Sequence, residues 1–340
     1  MVGCFTCGAI HGKSSATAFG RHWKTCSGSQ RNAASQESTL PMASSVLNTC
    51  YGKQLTGVLC CPDDHAPIRF REEAEPVCEH CSREFRLIDG TLDLLPLRQG
   101  RLDSIGSEDY VNSYQQLFCD GKPAFCETVF SAEESLTPAE SGRKNRQVRR
   151  ILPLVLSGTK RILCDLSAGA GRYTIPYSKY FNLVLHCDLF SGAVRYIAQK
   201  AQYLGIHNLV PVRSDYFSPP LTGSADVVLC LDSLIRGEAH ERLLLRSIVQ
   251  CMAPNGIAVV DFHNWWHNPL RRLGLLRDNF VNNRSYTRKR AETLLCEAGI
   301  SRFEYVPYHQ EFDPFGRFTP VGTRFIQPTR LIYRFIRPTL

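Results

Sequence analysis

Two acids and a glycine turn in the middle of the chain have the types and spacing to hold a nucleotide. Asp165 closes the apolar run Ile162-Leu163-Cys164 and leads into Leu166-Ser167-Ala168-Gly169-Ala170-Gly171. A second apolar run, Leu183-Val184-Leu185-His186-Cys187, ends in Asp188, nineteen positions after Gly169. Backbone at a glycine turn approaches a ligand closely, and a carboxylate at the next strand tip can take both ribose hydroxyls. This is the layout of a mononucleotide-binding βαβ unit.

Cysteines suggest a second chemistry. Eight of the fifteen fall before residue 82: Cys4, Cys7, Cys26, Cys50, Cys60, Cys61, Cys78 and Cys81. In a reducing compartment, pairs at two-residue spacing indicate metal rather than disulfides. Cys4-x2-Cys7 and His22-x3-Cys26 have the spacing of a small C2HC zinc finger over residues 1–26, which would depend on its metal to fold. The alternative is an unstructured tail, or sequence upstream of a later start at Met42. Residues 27–54, rich in Ser, Ala, Asn and Gln, read as a flexible linker. Cys61 and the pair Cys78-x2-Cys81 then form two knuckles within residues 55–97, followed by a predicted hairpin turning at Asp89-Gly90.

The elements that would carry these residues alternate regularly. Residues 98–150 read as a helical connection or lid: Tyr110, Tyr114, Leu117 and Phe118 make one apolar stripe, and Arg143, Lys144, Arg146, Arg149 and Arg150 make a basic helix face read as solvated. Strands are predicted at 161–166, 183–187, 209–213, 226–231 and 257–261, with helices from about Arg172, from Ser191 to Gly205, over 238–252 and over 288–298. Two strand-like segments after residue 302 have no long helix between them. Alternation of this kind over residues 151–340 predicts a Rossmann-like, mostly parallel seven-stranded sheet with an antiparallel edge hairpin.

Bulk composition narrows the class. Hydrophobic content of 43% and charged content of 21% are those of a globular chain. No apolar run approaches the ~18 residues needed to cross a bilayer, and the start lacks the pattern of a signal peptide, so a cytoplasmic location and no membrane partner are expected. A net charge of +8 permits an anionic partner without demanding one.

About residues 145–310 the chain resembles the class I S-adenosylmethionine-dependent methyltransferases. The resemblance rests on Asp165-Leu-Ser-Ala-Gly-Ala-Gly171, Asp188, Asp215 and Met252-Ala-Pro-Asn-Gly256. It implies that Gly169 and Gly171 pass under the methionine part of S-adenosylmethionine, that Asp165 organises the loop, and that Asp188 binds the ribose diol. Asp215 and Tyr216 would meet the adenine. The first glycine of the family's motif is replaced by Ser167, which can hold the turn only if that position does not need positive φ. A nicotinamide dinucleotide is disfavoured because no third glycine follows Gly171. Residues 55–97 resemble the zinc ribbon of the Trm112-like family, which implies a structural Zn2+ on Cys61, Cys78 and Cys81. Asp64 stands where such ribbons put a cysteine, and His65 (or Cys60) is the expected substitute ligand.

Methyl transfer from a sulfonium is an in-line displacement, so the acceptor side should lie at the tips of the fourth and fifth strands. The fourth ends at Asp232; the fifth continues Asp261-Phe262-His263-Asn264-Trp265-Trp266-His267. His263 is the preferred general base, with His267 and Asp232 beside it, because a neutral imidazole suits pH 7. Arg236 and His240 are secondary candidates for orienting the acceptor, and the tryptophans would wall it. A small-molecule acceptor methylated at oxygen or nitrogen is expected ahead of rRNA or tRNA reached through the zinc units; a non-catalytic zinc-containing protein partner is the third reading.

Overall fold

The computed structural model describes residues 52–70, 75–88, 90–97, 138–235, 237–267, 285–308 and 330–337. All belong to the compact unit Pro41–Leu340. The candidate finger ligands Cys4, Cys7, His22 and Cys26, the stripe at 110–118, Arg236 and the side chains of Arg143, Lys144 and His267 lie outside the described residues.

A short helix α1 (Gly52–Leu55) precedes a two-stranded antiparallel ribbon of β1 (Ile68–Arg69) and β2 (Val77–Cys78). A hairpin of β3 (Leu87–Ile88) and β4 (Thr91–Leu94) turns at Gly90, whose φ of 76° suits glycine. Helix α2 (Pro138–Val155) turns Ile151 and Val155 into the core and leaves Arg146, Arg149 and Arg150 exposed, the solvated face expected. Next come β5 (Ile162–Leu166), a one-turn α3 (Thr174–Tyr177), β6 (Leu183–Asp188), α4 (Ser191–Tyr203) and β7 (Leu209–Ser214). The chain continues through β8 (Ala225–Leu234), α5 (Glu238–Cys251), β9 (Met252–His263), α6 (Arg288–Glu297), β10 (Phe303–Tyr308) and β11 (Arg330–Ile336).

The main sheet runs β10-β11-β9-β8-β5-β6-β7-β4-β3. Strands β4, β7, β6, β5, β8 and β9 are parallel, and β11 pairs antiparallel with β9 and with β10. The parallel core and the antiparallel edge pair therefore match expectation. The sheet nevertheless has nine strands rather than seven, because the ribbon's hairpin joins it. Strand β4 alternates: Leu92 and Leu94 enter the core while Asp93 turns the other way and pairs with Arg213 on β7, 3.1 Å away. Burying Leu92 and Leu94 against Val212 and Leu185 is what recruits the hairpin.

Helices cover both faces. Ile151, Val155, Tyr196 and Ile197 from α2 and α4 pack on one; Leu244, Leu245, Leu294 and Leu295 from α5 and α6 pack on the other, with Leu59, Ile68 and Phe85 of the ribbon. Two strands overrun their predicted ends. Strand β8 continues through Asp232 to Leu234, and β9 starts at Met252, each with a register shift against its neighbour. The order reverses at β5, whose neighbours β6 and β8 lead to opposite sides, and a reversal of this kind makes the ligand crevice of a parallel sheet, beyond the carboxyl ends of the strands.

Candidate active site and metal knuckle

The turn after β5 is tied by backbone bonds. Ala168 N donates to Cys187 O at 3.1 Å, and Gly171 N to Ala168 O at 3.0 Å. Gly171 has φ 72°, and a Cβ there would meet Ile197 Cδ1 at 2.3 Å, so a side chain would be strained in the backbone and would displace the tip of Ile197. Ser167 has φ 61°. The position therefore does need positive φ, contrary to the condition under which serine was expected to serve, and serine holds it at a cost of roughly 1 kcal/mol.

Asp188, 5% exposed, accepts from Gly169 N at 2.7 Å and from Phe190 N at 3.0 Å. Each oxygen keeps a second lone pair, so the carboxylate can order the glycine turn and still accept from a ribose hydroxyl. Burial raises its pKa, and the backbone donors oppose that rise. Asp165, expected to organise the glycine turn, instead accepts from the Thr174 hydroxyl at 2.6 Å and anchors the start of α3. Thr174 Oγ1 also lies 3.1 Å from His186 Nδ1. Burial pushes Asp165 up to about 7 and His186 down to about 3.

Asp215 caps the turn after β7 by accepting from Phe217 N at 2.9 Å. Tyr216 bonds His240 Nε2 at 2.7 Å through its hydroxyl, and its ring meets Phe217 edge-on at 4.7 Å. His240, a candidate for orienting the acceptor, is thus built into an aromatic cluster below Asp215.

Across the crevice, charged side chains gather at the ends of β8 and β9. Asp232 sits in the left-handed region at φ 62°, its N–H donating to Asp261 Oδ1 at 2.7 Å. Its carboxylate meets Arg172 at 3.1 Å, Arg330 directly, and His263 Nε2 at 3.8 Å. Arg330 also reaches Asp261 Oδ2 at 3.2 Å. Burial alone would raise Asp232, but His263, Arg330 and Arg172 outweigh it and hold the carboxyl well below the usual range. Asp261 is raised by burial, with Arg330 opposing. Of the expected catalytic residues, Asp232 and His263 come together, and His267 closes the 3-10 turn Trp265–His267. Trp265 is half-buried and Trp266 exposed. Arg172, Arg330 and Asp261 were missed. Arg330 is 67 residues beyond His263 in sequence but is its direct partner across the β9–β11 ladder. A residue search restricted to the parallel strands has no signal for it.

In the ribbon, Cys61, Asp64, Cys78 and Cys81 bring four donor atoms within 4.8 Å of one another. Zinc–sulfur bonds of about 2.3 Å and a zinc–oxygen bond of about 2.0 Å at tetrahedral angles require edges of about 3.8 Å between sulfurs and about 3.5 Å from sulfur to oxygen. Cys61 Sγ and Cys81 Sγ are 3.8 Å apart, and Cys78 Sγ is 3.5 Å from each Asp64 oxygen. The set fits the ion, with Asp64 rather than His65 as fourth ligand. The correction has a local cause. Cys61-x2-Asp64 and Cys78-x2-Cys81 have equal spacing, each closed by an amide returning to the first residue (His65 N to Cys61 O, 2.9 Å; Ser82 N to Cys78 O, 3.2 Å). His65 and Ser82 follow at φ 60°, which turns both away from the site, and His65 Nδ1 lies 4.0 Å from Cys60 Sγ. His80 Nδ1 meets Asp64 Oδ2 at 3.1 Å and would orient that ligand.

Residues 164–260 match a family described as a methyltransferase domain, which is under a third of the chain. No curated protein matches. Solved structures similar to the chain include magnesium protoporphyrin IX methyltransferase from Synechocystis, with 16% identity over 68% of this chain and 95% of that one, TM-score 0.40. A putative methyltransferase from Bacillus halodurans is 12% identical over 56% of this chain and 99% of that one, TM-score 0.43. Phosphoethanolamine N-methyltransferase 2 from Haemonchus contortus is 12% identical over 57% and 53%, TM-score 0.43. The stretch that matches the methyltransferase-domain family runs from β5 to β9 and lies on a Rossmann-like, mostly parallel sheet.

Proposed function

We propose that the chain transfers a methyl group from S-adenosylmethionine to an oxygen or nitrogen of a small-molecule acceptor, with His263 as general base. One observation carries this reading. The Asp232–His263 pair stands at the ends of β8 and β9, across the crevice from the glycine turn that Asp188 orders.

The donor, when bound, supplies an activated methyl: its carbon–sulfur bond breaks with the electron pair leaving on sulfur as the acceptor atom bonds the carbon in line. The protein's residues do the rest. Asp188 would hold the ribose, and Gly169 and Gly171 would let the protein backbone approach the donor closely. His263 turns Nε2 toward Asp232, which leaves Nδ1 to take the acceptor's proton, and Asp232 stabilises the imidazolium that results. Arg330 and Arg172 keep Asp232 ionised for that task. Zn2+ on Cys61, Asp64, Cys78 and Cys81 is proposed as structural, since four protein ligands leave no open position for chemistry.

Calorimetry with S-adenosylhomocysteine tests the donor half, with Asp188→Ala expected to weaken binding roughly 10- to 100-fold. Absence of heat with the unmodified protein favours a non-catalytic role and rejects the reading. Radiolabelled donor incubated with fractionated cell material tests the acceptor: label retained by the RNA fraction instead of the small-molecule fraction rejects that part.

A further inference from the structure

The carboxylate that orders the glycine turn is itself held from the ribbon. Asp93 of β4, Arg213 of β7 and Asp188 of β6 stand in one row across the sheet, each the direct partner of the next in the strand ladders. Arg213 acts in two directions along that row. Its Nη1 donates to Asp93 Oδ2 at 3.1 Å, and its Nε donates to Leu189 O at 3.3 Å.

The Leu189 carbonyl is the informative end. It belongs to the same peptide unit as Phe190 N, which donates to Asp188 Oδ1 at 3.0 Å. A peptide unit is planar, and in its trans form the C=O and the N–H point in opposite directions. Arg213 therefore pins one side of the plane while Asp188 takes the other. Rotating that plane would break both bonds, so the aim of Phe190 N–H, and with it the set of the Asp188 carboxylate, depends on Arg213. The guanidinium is a rigid fork, so its bond to Asp93 fixes how it faces Leu189. At the side chain Arg213 is 29% exposed and Asp93 26%, too open for their ion pair to contribute much to stability. Asp93 reaches this row because the burial of Leu92 and Leu94 brings β4 beside β7.

We propose that Arg213, oriented by Asp93, is a positioning residue for S-adenosylmethionine: it fixes the peptide that sets Asp188 for the ribose. This inference rests on the methyl-transfer reading above and extends the methyl donor's site to the ribbon's hairpin. Arg213 itself acts through Asp188 and not on the ligand.

Arg213→Met keeps the apolar stem and removes both bonds, and Asp93→Asn keeps Arg213 but removes the charge that orients it. Each is made in the full chain, alone and combined with Asp188→Ala, and measured by calorimetry with S-adenosylhomocysteine and by thermal unfolding. Arg213→Met is expected to weaken binding about tenfold and Asp93→Asn about threefold, with unfolding within a few degrees of the unmodified protein. In the Asp188→Ala background either change should cost no more than about twofold further, because no carboxylate is left to position. Losses that multiply in full with that of Asp188→Ala overturn the proposal. So does a lowered unfolding temperature with affinity kept, which shows a role in the fold alone. If Arg213→Met does not fold, Asp93→Asn decides by the same two comparisons. Heat from the unmodified protein with unchanged affinity in the variants overturns this inference alone; no heat from the unmodified protein overturns the methyl-transfer reading, and this inference with it.

Discussion

The two walls of the crevice are built on different principles. On the glycine-turn side, carboxylates meet backbone: Asp188 takes Gly169 N and Phe190 N, and Asp215 takes Phe217 N. On the β8–β9 side, side chains meet side chains: Asp232, Asp261 and His263 form one charged network with Arg330 of β11 and with Arg172, which reaches over from the glycine turn. A backbone-anchored wall recognises a shape common to every member of a nucleotide-binding fold, since every residue type supplies an N–H. A side-chain network can be rebuilt residue by residue, and the proposed function puts selection of the acceptor there.

The largest expected effect separates the two walls. His263→Ala should lower turnover by about 10²- to 10⁴-fold while leaving S-adenosylhomocysteine affinity unchanged, read by single-turnover label transfer and calorimetry. Equal losses in both quantities would erase the division between donor and acceptor walls. Next is the ribbon, whose strand β4 borders the donor wall through β7. Cys78→Ser should release bound zinc, measured by metal analysis, and destabilise the chain by a few kcal/mol in thermal unfolding. A variant with full stability and full zinc content would show that the knuckle is not a metal site.

A third effect lies beneath the glycine turn. Asp165, pushed up to about 7 from 3.8, stays protonated in the fold where the unfolded chain has ionised. Its contribution to stability is full below about pH 4 and is lost as pH rises toward about 7. His186, pushed down to about 3 from 6.5, stays neutral where the unfolded chain takes up a proton. Its contribution is full above about pH 6.5 and is lost as pH falls toward about 3. The slopes oppose one another, so the pair adds little pH dependence between about pH 4 and 6.5. Asp165→Asn removes one side, and stability should then rise with pH across this window by up to ~1.4 kcal/mol per unit. Denaturant titrations at several pH values measure it; parallel profiles for both proteins would show that the two groups do not titrate as assigned.

The smallest effect concerns the serine in the turn. Ser167→Gly removes the left-handed strain and should stabilise the chain by ~1 kcal/mol, with donor affinity kept or slightly improved. A loss of stability would mean that the serine side chain does something the strain argument omits.

Legibility in the sequence follows the range of the interactions. Asp165, Gly169, Gly171 and Asp188 were readable because a strand, a turn, a helix and the next strand form one contiguous unit. Cys61, Cys78 and Cys81 are legible from spacing, whereas Asp64 is not, because a histidine is the stronger metal signal by residue type and only the turn geometry favours the acid. The equal Cys61-x2-Asp64 and Cys78-x2-Cys81 spacing was the available signal. Ser167's positive φ was posed as a condition that sequence could not evaluate. Arg330 left no trace, because its place opposite His263 arises only when an antiparallel strand from the end of the chain aligns beside β9.

Sequence alone determined the alternating α/β core, the glycine turn with its acid at the next strand tip, and the clustering of metal-type ligands ahead of them. These depend on local periodicity and short spacing, which survive without knowledge of the fold. Tertiary structure decided that the ribbon's hairpin extends the central sheet and that Asp232 and Asp261 are bridged by an arginine from β11, the antiparallel neighbour of β9. Strand register over long separations and the burial of individual atoms settle such matters, and neither is a property of any short stretch of chain.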